Sequence, residues 1–325
     1  MPYSSVSLTG KHLVFALAAV LLAWAYLSLA AANAEARRAL PAYVIERFGQ
    51  PPVIPEGELS SDLETAMRIA FIEGVEQGSW GRDQILALEQ IGESKDPRLV
   101  WAISDLMRFS SGSRLTADLS RTAFKLLGKD TPTQNHWGAV TDHLIAWDIP
   151  APPDYLAIKR AIFTGIVPGW EKIFVDGNID WRLVSWGGVL IDDRAYDTTD
   201  EPCNCIPAAD NPKVTNAAEA TWLDDDAIVF GIEVNGEYRA YPRQIMEVRE
   251  MVNDTLGGRD LGIPYCTLCG AAQAYFTDDV PEGVGRPVLR TSGLLIRSNK
   301  VMYDLTTHSV FDTFLGNAVT GPLAE

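Results

Sequence analysis

Near residue 180 the hydrophobic period of this chain changes, and that change limits its fold more than any other feature. Before it, apolar residues recur three and four positions apart, the spacing of one helix face. After it, short β-branched and aromatic runs alternate with turn residues at hairpin spacing. The expected fold class is therefore α+β: a helical module over residues 61–150, a connecting segment over 151–180, and a mainly antiparallel β-rich domain over 181–325.

Within the helical module, Leu63, Met67, Ala70 and Val75 form one stripe, and Ile85, Leu88 and Ile91 form a second, with Gly92 placed to close it as a C′ residue. Asp96-Pro97 reads as an N-cap followed by proline at the first helical position, ahead of Leu99, Ile103 and Leu106. Leu119, Ala123, Leu126 and Leu127 mark another helix, ended by Gly128. Leu88-Glu89-Gln90-Ile91-Gly92 and Phe124-Lys125-Leu126-Leu127-Gly128 stand in register 36 residues apart. That offset is close to the period of helical-pair repeats, and the Asp96-Pro97-Arg98 start resembles a HEAT-type repeat. An irregular helical bundle accounts for the same stripes.

In the β-rich domain, Asn235-Gly236 between Ile228–Val234 and Glu237–Tyr241 is a strong hairpin signal. Met246–Leu256 reads as a short helix closed by Gly257-Gly258. Strands are expected at Leu261–Tyr265, Ala271–Phe276, Pro287–Thr291, Val301–Asp304 and Val310–Phe314. The sequence holds no glycine-rich nucleotide loop and no serine nucleophile elbow.

The amino-terminal part reads as a targeting segment. Leu13–Ala32 is twenty residues without a charge, preceded by Lys11 and ending in Ala32-Asn33-Ala34, a small-x-small pattern of the kind signal peptidase cuts. Its length suits a spanning helix, so residues 1–34 are either an uncleaved anchor or a cleaved signal. Arg37 and Arg38 taken alone would keep the following residues cytoplasmic, whereas the Ala-x-Ala site favours export. The expected location is extracytoplasmic, either membrane-anchored through residues 13–32 or secreted to the periplasm. Residues 35–60, with Pro41, Pro51, Pro52 and Pro55, read as a linker. A net charge of -16 and the lack of a dense Lys/Arg cluster exclude nucleic acid as a partner.

The four cysteines fall in two tight pairs, Cys203-Asn204-Cys205 and Cys266-Thr267-Leu268-Cys269. Several chemistries fit this pattern. The pairs could bridge to one another and staple a loop of about 60 residues, worth about 4 kcal/mol in the chain-entropy treatment. All four could act as thiolate ligands to one zinc or copper ion. Cys266 and Cys269 could also act alone as a catalytic dithiol. Covalent haem is excluded, since Gly270 stands where the attachment motif needs histidine.

Other polar groups carry weaker signals. His136 and His143 share a face if residues 137–147 are helical, and Asp224-Asp225-Asp226 offers oxygen ligands, but core or surface histidines and an acidic turn explain them as well. Arg243, Arg249 and Arg290 could line an anion pocket. Asn253-Asp254 reads as turn chemistry. His308 is the one imidazole of the β-rich part that could partner a cysteine.

Six ordered stretches resemble the bacterial family catalogued as domain of unknown function 3179. They are Ile206–Pro212, Trp222–Asp226, Tyr238–Pro242, Met251–Gly258, Tyr265–Gly270 and Ser298–Asp304. The resemblance covers roughly residues 180–325 and implies an exported protein whose domain runs on past Gly321-Pro322-Leu323. It implies no mechanism. Many members have a His-Glu pair where this chain has Arg249-Glu250, and many lack cysteines at Cys203 and Cys205. The expected function is a binding or accessory module of the cell envelope, its domain cross-linked by disulfide or thiolate-bound metal. The alternatives are a thiol–disulfide oxidoreductase using Cys266 and Cys269, or a copper- or zinc-handling protein.

Overall fold

The computed structural model describes residues 40–198 and 202–324. The signal-or-anchor segment at Leu13–Ala32 lies outside the described residues, among which no helix is long and apolar enough to cross a membrane. The described residues divide into a small unit, residues 40–51 with Ile145–Asp148, and a large one made of the rest. In the small unit α1 (Ala42–Phe48) stands inside the proline-rich segment read as linker. Pro41 supplies the extended residue before it, and Trp147 Nε1 donates to Gly49 O at 3.1 Å.

The first half of the large unit is helical. α2 (Ser61–Met67) runs through a π turn, Arg68–Glu73, into Gly74–Glu76. It is followed by α3 (Arg82–Glu93), α4 (Val100–Phe109), α5 (Arg114–Leu127), α6 (His136–Ala146) and α7 (Tyr155–Ile166). α3 packs on α2 and α5, and α4 on α5 and α7. Met67, Leu88, Ile91, Leu99, Ile103, Leu106 and Leu127 are buried as the periodicity requires, while Leu63 is half-buried. Asp96 caps the Pro97–Leu99 turn by accepting from Arg98 N at 3.0 Å. Gly128 takes the left-handed conformation (φ +64°), so that Lys129 N reaches back to Phe124 O at 2.9 Å and closes α5.

Gly92 does not end its helix. It lies inside α3 on the face toward α5, where a Cβ would make ordinary contact with Thr122 Cγ2 at 3.4 Å. Residues 151–180, read as a connector, hold α7 and the clustered rings Phe163, Trp170 and Phe174, and Trp181 just beyond stacks on Phe174.

The second half is β-rich. β1 (Val184–Trp186), β9 (Leu289–Ile296), β10 (Asn299–Asp304), β11 (Val310–Asp312) and β12 (Ala318–Thr320) form a five-stranded antiparallel sheet in that order. β2 (Ala209–Asp210), β5 (Met251–Leu256), β6 (Arg259–Cys266) and β7 (Ala271–Ala272) form a second sheet, in which β8 (Tyr275–Phe276) also pairs with β6. Only the β2–β5 pairing in these two sheets is parallel. β3 (Val229–Val234) and β4 (Glu237–Pro242) make the hairpin expected at Asn235-Gly236.

The expected helix at Met246–Leu256 is displaced. α8 spans Arg243–Arg249, Glu250 turns left-handed (φ +52°), and Met251 begins β5. The reason is pairing: Met251–Leu256 lies across from Arg259–Pro264 along its whole length. The two sheets meet through Ala208, Met251, Leu289 and Met302. The helical layer is tied to the first sheet by Arg108 Nε to Trp186 O and Trp170 Nε1 to Ser292 O, both 2.7 Å.

Candidate functional site

The Cys-x-x-Cys stretch folds as a tight turn between β6 and β7. Cys266 is the last residue of β6 and pairs with Ala271. Cys269 N donates to Cys266 O at 3.2 Å, and Gly270 at φ +62° brings the chain back into β7, a conformation costly for most other residues. The turn sets the two Sγ atoms 2.7 Å apart. Both cysteines are free thiols, Cys266 buried at 2% exposure and Cys269 exposed.

The sulfurs face the turn between β9 and β10. Ser298 O lies 3.7 Å from both Sγ atoms, and Asn299 Oδ1 lies 3.6 Å from Cys269 Sγ. Arg297 and Ser298 both have positive φ, 46° and 68°. They are the central residues of the two-residue hairpin between Ile296 and Asn299, for which positive φ at both positions is the favoured geometry, and the turn brings the Ser298 carbonyl to the sulfurs.

Lys300, in β10 just past this turn, interacts electrostatically with Cys266. It is 3% exposed, and its ammonium donates to Glu250 O, which also accepts from Tyr265 N at 2.9 Å. Burial pushes Lys300 down to about 8, against the opposite pull of Glu250, Cys266 and Asp192. Burial and the hydrogen bond to Cys266 together push the Cys269 thiol up to about 11. The arrangement is a dithiol with one sulfur open to a partner and the other within electrostatic reach of a buried ammonium.

The second pair behaves differently. Cys203 and Cys205 are bonded to one another, in a segment where Cys205 bridges to Leu190. The expected bridge between the pairs is therefore not made: each pair keeps to itself. Nor do the four sulfurs gather as ligands. Among the described residues, the group with metal-ligand spacing that contains Cys203 and Cys205 is completed by Asp192, whose carboxylate oxygen lies within 4.8 Å of both sulfurs. Asp192 is already engaged by Arg194 Nε at 2.6 Å and Ala208 N at 2.9 Å, with Arg290 Nε at 3.7 Å, and two guanidinium groups oppose a cation there.

The remaining candidates are structural. Arg290 forks onto Asp210 at 2.6 and 2.9 Å, fully buried, so it opens no anion pocket. Asn253 lies in β5 rather than in a turn, and its side chain joins three strands. Its Nδ2 donates to Asp210 Oδ1 at 2.8 Å and Leu289 O at 3.0 Å, and its Oδ1 accepts from Leu289 N at 2.9 Å. Asp254 accepts from Arg239 and from Tyr241 at 2.6 and 2.8 Å. Arg243 pairs with Glu247 on the surface. Arg249 is the last residue of α8.

His136 Nδ1 bonds to Ser120 Oγ at 2.8 Å, while His143 Nδ1 donates to Ala139 O at 2.7 Å, so the two imidazoles have separate partners. His308 stacks on Tyr303, beyond the far end of β10 from Asn299 and the cysteines. Asp224–Asp226 form an exposed acidic turn, with Ala227 N donating to Asp224 O at 3.0 Å.

Sequence reasoning missed Lys300 and Ser298. The one available signal was their place in Ser298–Asp304, among the stretches shared with the family. Residues 203–325 match the family model described as protein of unknown function, DUF3179. The match takes in both cysteine pairs, Lys300 and the Asp210–Asn253–Arg290 lock. No curated protein and no solved structure matches the chain.

Proposed function

We propose that the C-terminal part is a thiol–disulfide exchange module working through Cys266 and Cys269, in a chain that residues 13–32 direct out of the cytoplasm. The observation that carries this reading is the geometry of the pair: two free thiols, Sγ atoms 2.7 Å apart, one exposed and one buried within reach of Lys300. A staple buries both of its sulfurs in a bond and asks for no neighbouring ammonium. A redox pair needs one accessible sulfur and a charge to steady the thiolate. The Ser298 carbonyl, 3.7 Å from both sulfurs, offers an acceptor to a protonated thiol and supports the same reading.

The test is a thiol count and metal assay on purified protein, followed by turnover of a model protein disulfide with dithiothreitol as reductant. Reversible loss of two thiols, with Cys266 and Cys269 joined in the oxidised form, supports exchange. A thiol count that never changes, or stoichiometric copper or zinc that blocks oxidation, removes the proposal in favour of a locked or metal-holding module.

A further inference from the structure

The burial of the two sulfurs is the reverse of what a dithiol with an amino-terminal nucleophile would show. Cys266, first in sequence, is 2% exposed, and Cys269 is open. An incoming sulfur can therefore reach Cys269 and not Cys266. When a Cys266–Cys269 disulfide is attacked at Cys269, the bond breaks toward Cys266, and the electron pair stays on the sulfur that follows Tyr265, whose N–H shares the Glu250 carbonyl with the Lys300 ammonium. A leaving thiolate that is stabilised departs faster, and a stabilised reduced form makes the disulfide a stronger oxidant.

Resting on the thiol-exchange reading, we propose that this pair is a disulfide donor to dithiols, with Cys269 as the attacked sulfur, Cys266 as the leaving sulfur and Lys300 as its positioning residue. In the first step a substrate thiolate attacks Cys269 Sγ. A substrate–Cys269 bond forms, the Cys266–Cys269 bond breaks, and Cys266 holds the negative charge. In the second step the other substrate thiolate attacks the substrate sulfur of that mixed disulfide. A substrate disulfide forms, and Cys269 leaves and takes up a proton. The substrate dithiol loses two electrons and the protein gains them. The backbone carbonyl of Ser298, 3.7 Å from each sulfur, accepts a hydrogen bond only from a protonated thiol, so it faces a donor in the reduced pair and none in the disulfide.

Two measurements on the full chain test this. In the first, Cys266→Ser and Cys269→Ser proteins are incubated natively with oxidised glutathione and the adducts are mapped by mass. The expected result is an adduct on Cys269 when Cys266 is replaced, and none on Cys266 when Cys269 is replaced. In the second, wild type, Lys300→Met and Lys300→Arg are equilibrated in glutathione buffers at pH 7. Lys300→Met should shift the equilibrium about tenfold toward the protein disulfide, a potential about 30 mV lower, and Lys300→Arg should restore most of it. If wild type forms no Cys266–Cys269 disulfide in any buffer, thiol exchange itself is wrong. If the disulfide forms but the adduct appears equally on Cys266, or Lys300→Met leaves the equilibrium unmoved, exchange stands and the assigned polarity falls. The adduct map decides the polarity even where Lys300→Met fails to fold.

Discussion

Lys300 sets its ammonium against the backbone carbonyl of Glu250, at a depth where only 3% of the residue meets solvent. Its folded value of about 8 lies below the ordinary 10.5, so the protonated lysine costs stability in the folded state. That cost is complete below pH 8 and disappears as the pH climbs through 10.5, because in that window the unfolded chain binds the extra proton. Measured against Lys300→Met by urea unfolding, wild type should gain on the order of 3 kcal/mol between pH 7 and pH 11. A constant difference between the two proteins over that range would show that Glu250, Cys266 and Asp192 already compensate the charge.

A second buried ammonium holds the helices to the first sheet. Lys159 Nζ donates to Asp105 Oδ1 at 2.5 Å and to Val184 O at 2.7 Å, and Tyr155 OH donates to Asp105 Oδ2 at 2.8 Å. Asp105→Asn leaves a buried charge without its counter-ion and should cost about 3–5 kcal/mol. The double change Asp105→Leu with Lys159→Met should recover most of that loss. Chemical unfolding of Asp105→Leu, Lys159→Met and the double variant gives the coupling directly.

The Cys203–Cys205 bond closes a ring of three residues, for which the chain-entropy treatment gives about 1.5 kcal/mol, against about 4 kcal/mol for the 60-residue staple expected from the sequence. Replacing both cysteines by serine should therefore lower stability by no more than about 2 kcal/mol. It should also leave glutathione exchange at Cys269 unchanged. A loss near 4 kcal/mol would mean that the bond restrains far more of the chain than its own turn.

Asn253 serves Asp210 and both backbone groups of Leu289 with one side chain, at full burial. Asn253→Ala removes three buried hydrogen bonds, but Asp210 Oδ1 and Leu289 O keep Arg290 Nη1 as a donor at 2.9 and 3.2 Å, so only the Leu289 N–H is left unpaired, at about 1–3 kcal/mol. A fall of about 2–3 kcal/mol in the unfolding free energy is expected, with a lower midpoint and an unchanged denaturant slope.

The readable parts of this fold are those set by near neighbours in sequence. Asp96 before Pro97, Gly128 after Leu127 and Asn235-Gly236 between two runs each act within a few residues, and each stands where the pattern put it. Met251–Leu256 was misread because its strand character comes from Arg259–Pro264 across the sheet, not from its own period. The cysteine turn was visible as a motif, but its chemistry depends on Ser298, Asn299 and Lys300, some thirty residues away. Lys300 reads as an ordinary strand lysine between Asn299 and Val301, and nothing in its neighbours announces that both faces of β10 are covered. Which sulfur bonds to which is likewise silent in the spacing. Cys203 and Cys205 meet because the chain bends locally at Asn204, whereas Cys266 and Cys269 are held by a turn that leaves them unbonded.

The cysteines belong to the β6–β7 side of one sheet, and the carbonyl that faces them belongs to the β9–β10 turn of the other. The sulfur chemistry is thus thermodynamically linked to the way the sheets are docked. Whatever draws Ser298 away from the thiols removes an acceptor that only the reduced pair can use, and so favours the oxidised one. By reciprocity, oxidising the pair loosens the hold of one sheet on the other. A partner that pries at this seam would change the electron affinity of the cysteines without touching either sulfur.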